Sequence, residues 1–245
     1  MQNDDLSYKQ LLFVVLLALV ASIAFQGSRG LYETTEGRYA EVAREMFRSG
    51  NYLEPTLLGL PHWTKPPLTY WAIALGLKIF GVNTWGARFY LIISFVLTVI
   101  CTWKIAEVLW DKKSAYLSAL VYVSSLMPLV SSNVVATDTL LALWEALAIF
   151  AFWKAVRTQS KIWTVLVWLF LGMSFMTKGY PGLLPLLGII PTQIYLKRAK
   201  NAQVPRLLSA GGIFAFIAAG LGWYIFEAIK HPYLVPYWLG YEVIG

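Results

Sequence analysis

Apolar runs long enough to cross a bilayer recur along the whole chain, and this limits the fold more than any other feature. The first run, LLFVVLLALVASIAF, occupies residues 11–25. Taken with its flanks, it is one of seven candidate spans, at about 9–26, 88–109, 114–131, 139–156, 161–177, 180–196 and 206–226. A helix needs about 20 apolar residues to cross the hydrocarbon core. With 58% hydrophobic and only 13% charged residues, the chain is too apolar and too poor in charge for an ordinary water-soluble domain. The reading is an all-α polytopic membrane protein with about seven spans. Eleven Trp and fourteen Tyr suit aromatic belts at the two interfaces. Asp4 and Asp5 spoil the basic start of a signal peptide, so the first run is read as an uncleaved span.

Positive charge sets the expected orientation. The apolar stretch 66–82 is short and carries Lys78. If it is left out of the span count and the N-terminus is placed in the cytoplasm, the pairs Lys112/Lys113, Arg157/Lys161 and Lys197/Arg198 all fall inside. Counting it as a span would turn those loops outward. Residues 66–82 are therefore expected as a juxtamembrane or re-entrant helix, anchored by Trp63, Tyr70 and Trp71. The net charge of +7 reflects basic cytoplasmic loops, and no nucleic-acid partner is expected. The chain reads as one membrane-embedded module, 1–245, with residues 27–87 as a large first outer loop. Gly211, Gly212, Gly220 and Gly222 are expected as small packing residues between helices.

That loop is where charge concentrates. In LYETTEGRYAEVAREMFRSG, residues 31–50, Tyr39, Val42, Ala43, Met46 and Phe47 fall on one helical stripe. Arg38, Glu41, Arg44, Glu45 and Arg48 take the other side, with Glu41/Arg44 and Glu45/Arg48 as i,i+3 pairs. Thr35 is the expected N-cap and Gly50 the expected C-cap. The stretch is predicted to be an amphipathic helix on the outer membrane face. Glu33 and Glu36 stand at its start. Glu36 is either a first-turn acid that favours the helix dipole or a carboxylate whose basicity burial raises.

Three further charges lie at outer ends of apolar runs. Lys65, held by Pro66 and Pro67, is either a snorkelling lysine or a cation for a lipid-borne phosphate. Asp138 opens the fourth run, where it is either a plain cap or a functional acid. Lys178, before Gly179 and Pro181, either favours a helix C-terminus or faces a ligand. Carboxylates and cations gathered at a lipid interface suit group transfer from a lipid phosphate. The cations hold the leaving phosphate, and a carboxylate takes the proton of the acceptor hydroxyl. The candidate site is thus Glu36, Glu33 and Asp138 as acids, with Arg38, Tyr39, Lys65 and Lys178 as substrate contacts.

The stretches TTEGRYAEVAREMFRSGNYLEPTLLGLPHWTKPPLTYW, TDTLLALW and MTKG, in that order, resemble the membrane-embedded glycosyltransferases of the protein O-mannosyltransferase and lipid A aminoarabinose transferase superfamily. The resemblance covers nearly the whole chain. It implies an inverting transferase, a polyprenyl-phosphate-linked sugar as donor, a hydroxyl-bearing acceptor, and catalysis at the outer membrane face. It implies residence in the bacterial cytoplasmic (inner) membrane and no cofactor. Lys65, Arg38, Asp138 and Lys178 match residues of the family's motifs. An Asp-Glu pair is usual where this chain has Thr35-Glu36, and the aminoarabinose branch tends to have Glu where Thr64 stands here. Family members run to roughly twice this length, so a chain or segment supplying the remaining half is an expected partner.

Two other readings compete. A transporter would place ionisable groups near mid-span, and mid-span positions here are read as apolar. An inactive accessory or scaffold subunit would tolerate Thr35. Cys101 is read as a small core residue. His62 and His231 lack ligand spacing, so no metal site is expected.

Overall fold

The computed structural model describes residues 2–24, 26–32, 34–198 and 204–240. Its elements are α1 (Gln2–Ile23), α2 (Glu36–Ser49), β1 (Thr56–Leu57), β2 (Leu60–Pro61), α3 (Leu68–Phe80), α4 (Thr84–Leu109), α5 (Lys112–Ser124), α6 (Leu126–Ser131), α7 (Asp138–Thr158) and α8 (Lys161–Lys178). A 3₁₀ turn at Tyr180–Leu183 leads into α9 (Leu186–Arg198). The last helical run is α10 (Ala210–Phe216), a π turn at Ile217–Leu221 and α11 (Gly222–Lys230), followed by α12 (Leu234–Leu239).

Three of the described helical segments are long and apolar enough to cross a membrane: Thr84–Leu109, Asp138–Thr158 and Ala210–Lys230. The expected count of seven is not met by that measure. The run at 114–131 is interrupted at Ser125, whose extended backbone (ψ 136°) separates α5 from α6. The run at 180–196 begins with a 3₁₀ turn, and its helix α9 has only 13 residues, with Pro191 inside it. The apolar part of α1, Ser7–Ile23, is also short. Residues 66–82 contain the short helix α3, as expected, ended by Gly81 at φ 83°.

Helix α4 is the hub of the molecule, with α1, α3, α5 and α7 all packed on it. Asn83 starts it, its side chain accepting from the Gly86 amide at 2.9 Å. Helix α8 packs on α7 and on the run 210–221. Two glycines meet there. A Cβ on Gly220 would lie 2.9 Å from Gly172 Cα, so both positions must stay small. Gly212 likewise makes room for the Trp168 ring, whereas a Cβ on Gly222 would meet nothing nearer than 3.8 Å. The packing role expected for these glycines therefore holds at Gly220 and Gly212, is weaker at Gly211, where a Cβ would lie 3.3 Å from Val165 Cγ2, and fails at Gly222.

Candidate active site

The charged stretch folds as α2. Gly50, at φ 71°, ends the helix and donates its amide to Met46 O at 2.9 Å. Thr35 precedes the helix but makes no side-chain capping bond. The apolar stripe of Tyr39, Val42, Ala43 and Met46 is buried with Tyr70, Ile73, Ala74 and Leu77 of α3 and Leu91 of α4. It packs inside the protein and does not rest on lipid as the sequence suggested. The Glu41–Arg44 pair forms, with Arg44 Nε donating to Glu41 at 2.7 Å. Glu45 does not partner Arg48. It accepts from Thr56 Oγ1 at 2.5 Å and from the Gly59 amide at 3.3 Å, which ties the β1–β2 hairpin to α2.

Glu36 is 1% exposed and faces Arg88, which is 0% exposed. Arg88 Nη2 donates to both carboxylate oxygens, at 3.2 and 3.1 Å. Arg29 Nη1 donates at 3.1 Å, the Tyr32 amide at 3.0 Å and the Val135 amide at 2.9 Å. The remaining Arg88 donors reach the carbonyls of Gln26, Arg29 and Gly30, at 2.7, 3.1 and 2.8 Å. One ion pair thus joins the exit of α1, the start of α2, helix α4 and the loop before α7. Burial alone would raise the Glu36 carboxyl. The Arg88 guanidinium and the Tyr32 and Val135 amides outweigh it and hold the group below its usual range. Of the two sequence readings of Glu36, a carboxylate made more basic by burial is the one this environment disfavours. A buried carboxylate becomes more basic only when donors are missing.

The other charges surround a different space. A cavity of about 420 Å³ is lined by Lys65 and Lys178 together with Trp63, Phe175, Tyr180, Tyr224 and Trp238. Pro67 caps α3 at φ −80°, so Lys65 sits on the fixed entry to that helix. Lys178 is the last residue of α8, which Gly179 closes at φ 74°, its amide donating to Phe175 O at 2.7 Å. The Lys178 ammonium pairs with the Asp138 carboxylate at the first turn of α7. The structure therefore brings Lys65 and Lys178 to one cavity, and Asp138, which does not line it, to the Lys178 ammonium. Asp138 is half-exposed.

Arg38 and Tyr39 do not line this cavity. Tyr39 is buried, its ring 5.5 Å from that of Tyr70. The Arg38 guanidinium lies over the Tyr39 ring, 5.7 Å from its centroid. Burial, then the nearby charges of Arg38 and Lys65, push the His62 imidazole below its ordinary range. His62 Nε2 lies 2.8 Å from Thr64 Oγ1. Glu33 lies outside the described residues.

Several charges escaped the sequence reading. Arg88 was taken as the edge of a span, although an arginine in an apolar run signals a buried partner. Glu145 lies inside α7, and its Oε1 is buried without a donor. Mid-span positions are therefore not all apolar. Glu54 and Glu227 were also passed over.

Residues 64–224 match the dolichyl-phosphate-mannose-protein mannosyltransferase family. The chain belongs to this family. Its relatives include the undecaprenyl phosphate-alpha-4-amino-4-deoxy-L-arabinose arabinosyl transferase of Pseudomonas savastanoi pv. phaseolicola, 34% identical over 96% of this chain and 44% of the relative. The enzyme of the same name from Erwinia tasmaniensis is 32% identical over 96% of this chain and 43% of the relative. The crystal structure of ArnT from Cupriavidus metallidurans bound to undecaprenyl phosphate superposes with a TM-score of 0.84 at 24% identity, over 95% of this chain and 44% of that one. The oligosaccharyltransferase of Archaeoglobus fulgidus superposes more loosely, with a TM-score of 0.65 at 14% identity. The fold is that of this mannosyltransferase family's helical membrane enzymes. The chain spans less than half the length of the curated relatives it matches.

Proposed function

We propose that this mannosyltransferase-family chain takes part in moving a sugar from a polyprenyl-phosphate donor to a hydroxyl acceptor at the outer face of a bacterial inner membrane. The activity is assigned to the chain together with the remaining length that its relatives carry. The observation that carries the reading is the cavity in which Lys65 and Lys178 stand among aromatic rings. The apolar lining suits an isoprenoid tail and the two ammonium groups suit its phosphate. The relatives' names make an undecaprenyl-phosphate aminoarabinose the first donor to test.

In this reading the acceptor oxygen attacks the anomeric carbon from the face opposite the phosphate. The bond from that carbon to the phosphate oxygen breaks, and the phosphate leaves with its electron pair. Lys65 and Lys178 meet the added charge. The acceptor proton goes to a carboxylate, and Asp138 suits this better than Glu36. Asp138 is half-exposed beside Lys178, whereas every donor around Glu36 holds it as a satisfied anion. Glu36 then acts as a positioning residue. The arrangement suits residues 1–245 as one module with a cytoplasmic N-terminus, because the three basic loop pairs then stay inside.

The test is transfer of labelled sugar from a polyprenyl-phosphate donor in proteoliposomes that contain the chain and its remaining segment. Labelled acceptor is the expected product. Movement of intact donor between leaflets with no product would support a transporter instead.

A further inference from the structure

Glu227 lies in α11 and is fully buried, and neither of its carboxylate oxygens has a hydrogen-bond partner. A buried carboxyl group whose oxygens have no hydrogen-bond partner is costly, and a bound cation would satisfy it. His231 is four residues further on, so both side chains face the same side of the helix end, with Nε2 4.0 Å from Glu227 Oε2. The third member comes from the far end of the sequence. Glu54, between α2 and β1, places Oε1 3.1 Å from His231 Nε2. One ligand atom from each of the three lies within 4.8 Å of the others.

We propose that Glu54, Glu227 and His231 form a binding site for a divalent transition-metal ion of the zinc class. Ligand atoms around a tetrahedral zinc are about 3.4 Å apart, from metal–ligand lengths of about 2.0–2.2 Å. The observed separations need only small side-chain shifts to reach that. One imidazole and two carboxylates give the net charge of −2 that suits such an ion, and they leave a fourth position for water. Lys230, whose Nζ is 2.5 Å from Glu54 Oε1, is the local competitor. Its side chain is 51% exposed and can turn to solvent.

The site sits on a seam. Trp223 Nε1 donates to Leu53 O at 2.8 Å, which already holds the first outer segment against α11. The His231 ring is 5.6 Å from that of Trp63, which lines the cavity. A bound ion would clamp this wall of the cavity. The site stands whichever donor the cavity accepts.

The test uses tag-free protein in detergent, stripped with chelator and then titrated with Zn²⁺ alone and with Mg²⁺ alone. One tightly held zinc per chain, a rise in melting temperature with zinc, and visible absorption bands after Co²⁺ replacement are expected. Changing outer-shell partners costs about 10–100-fold in metal affinity, and loss of a ligand is expected to cost at least that much. His231→Ala and Glu54→Gln alter partly exposed residues and keep the test valid if Glu227→Gln fails to fold. His62→Ala is expected to bind zinc like the parent. The proposal is overturned if the parent holds no stoichiometric zinc, if His231→Ala binds as tightly as the parent, or if Mg²⁺ binds equally well.

Discussion

The first outer segment carries charge to two places that behave in opposite ways. At the start of α2, Glu36 and Arg88 are both buried, and each polar atom of the pair meets a partner within the chain. About thirty residues later, Lys65 stands at a cavity wall among aromatic rings, with Lys178 beside the same space. The first arrangement spends its hydrogen bonds on joining four chain segments. The second places cationic groups, Lys178 with its Asp138 partner among them, on the wall of a space large enough for part of a lipid. Charge density alone did not separate the two, because both stretches look equally polar in the sequence. Access separates them: Glu36 and Arg88 are shut inside the fold, whereas Lys65 and Lys178 line a cavity. A buried ion with all its partners inside the fold is a structural joint, and one facing a cavity is a binding group.

Mutations can break or sharpen this contrast. The largest effect is expected from Asp138→Asn. Loss of a positioned base lowers transfer by about 10²–10⁴-fold, and the melting temperature should hardly change because the carboxylate is half-exposed. Glu36→Gln should do the reverse, lowering the melting temperature first. If Glu36→Gln lost transfer at full stability, the division between the two regions would collapse.

Arg88→Ala comes next. It leaves the Glu36 carboxylate buried without its main counter-ion, and breaking such a pair costs about 3–5 kcal/mol. Thermal melting in detergent measures this, and a loss under about 1 kcal/mol would place the pair among weak surface bridges. Lys65→Ala should weaken binding of a polyprenyl-phosphate sugar by about 10–100-fold, the range for a hydrogen bond to a charged group. Lys65→Arg should lose less, and neither variant should melt early. Equal affinity of Lys65→Ala and the parent would remove Lys65 from the cavity's function.

The acid limb of stability offers a finer probe. The Lys230 ammonium, then His231, hold the Glu54 carboxyl at about 2, against an ordinary value of 4.5. A carboxyl that is more acidic when folded stabilises the protein fully above its unfolded value, and that contribution fades as pH falls through the folded one. Stability should therefore drop between about 4.5 and 2, and Glu54→Gln should flatten part of that drop. Glu36, also held low, adds to the same limb with the same sign. The smallest effect belongs to Glu41→Gln. Its pair with Arg44 is a partly buried i,i+3 contact, worth about 0.2–0.5 kcal/mol in a chemical melt.

Much of the architecture was determined by the sequence alone. Apolar runs of bilayer length exclude a water-soluble fold, because burying that much hydrocarbon surface needs lipid or a very large core. The 3.6-residue stripe of α2, its stop at Gly50 and the short helix after Pro66–Pro67 follow from local rules that depend on neighbours a few residues away. The family motifs were legible for the same reason. Only the tertiary structure decided what each charge does. Arg88 meets Glu36 across 52 residues, Asp138 meets Lys178 across 40, and Glu54 meets His231 across 177. No periodicity reaches that far. Whether a buried ion becomes a joint, a binding group or a metal ligand depends on which donors the packed helices bring within about 3 Å of it, and only the folded chain sets those distances.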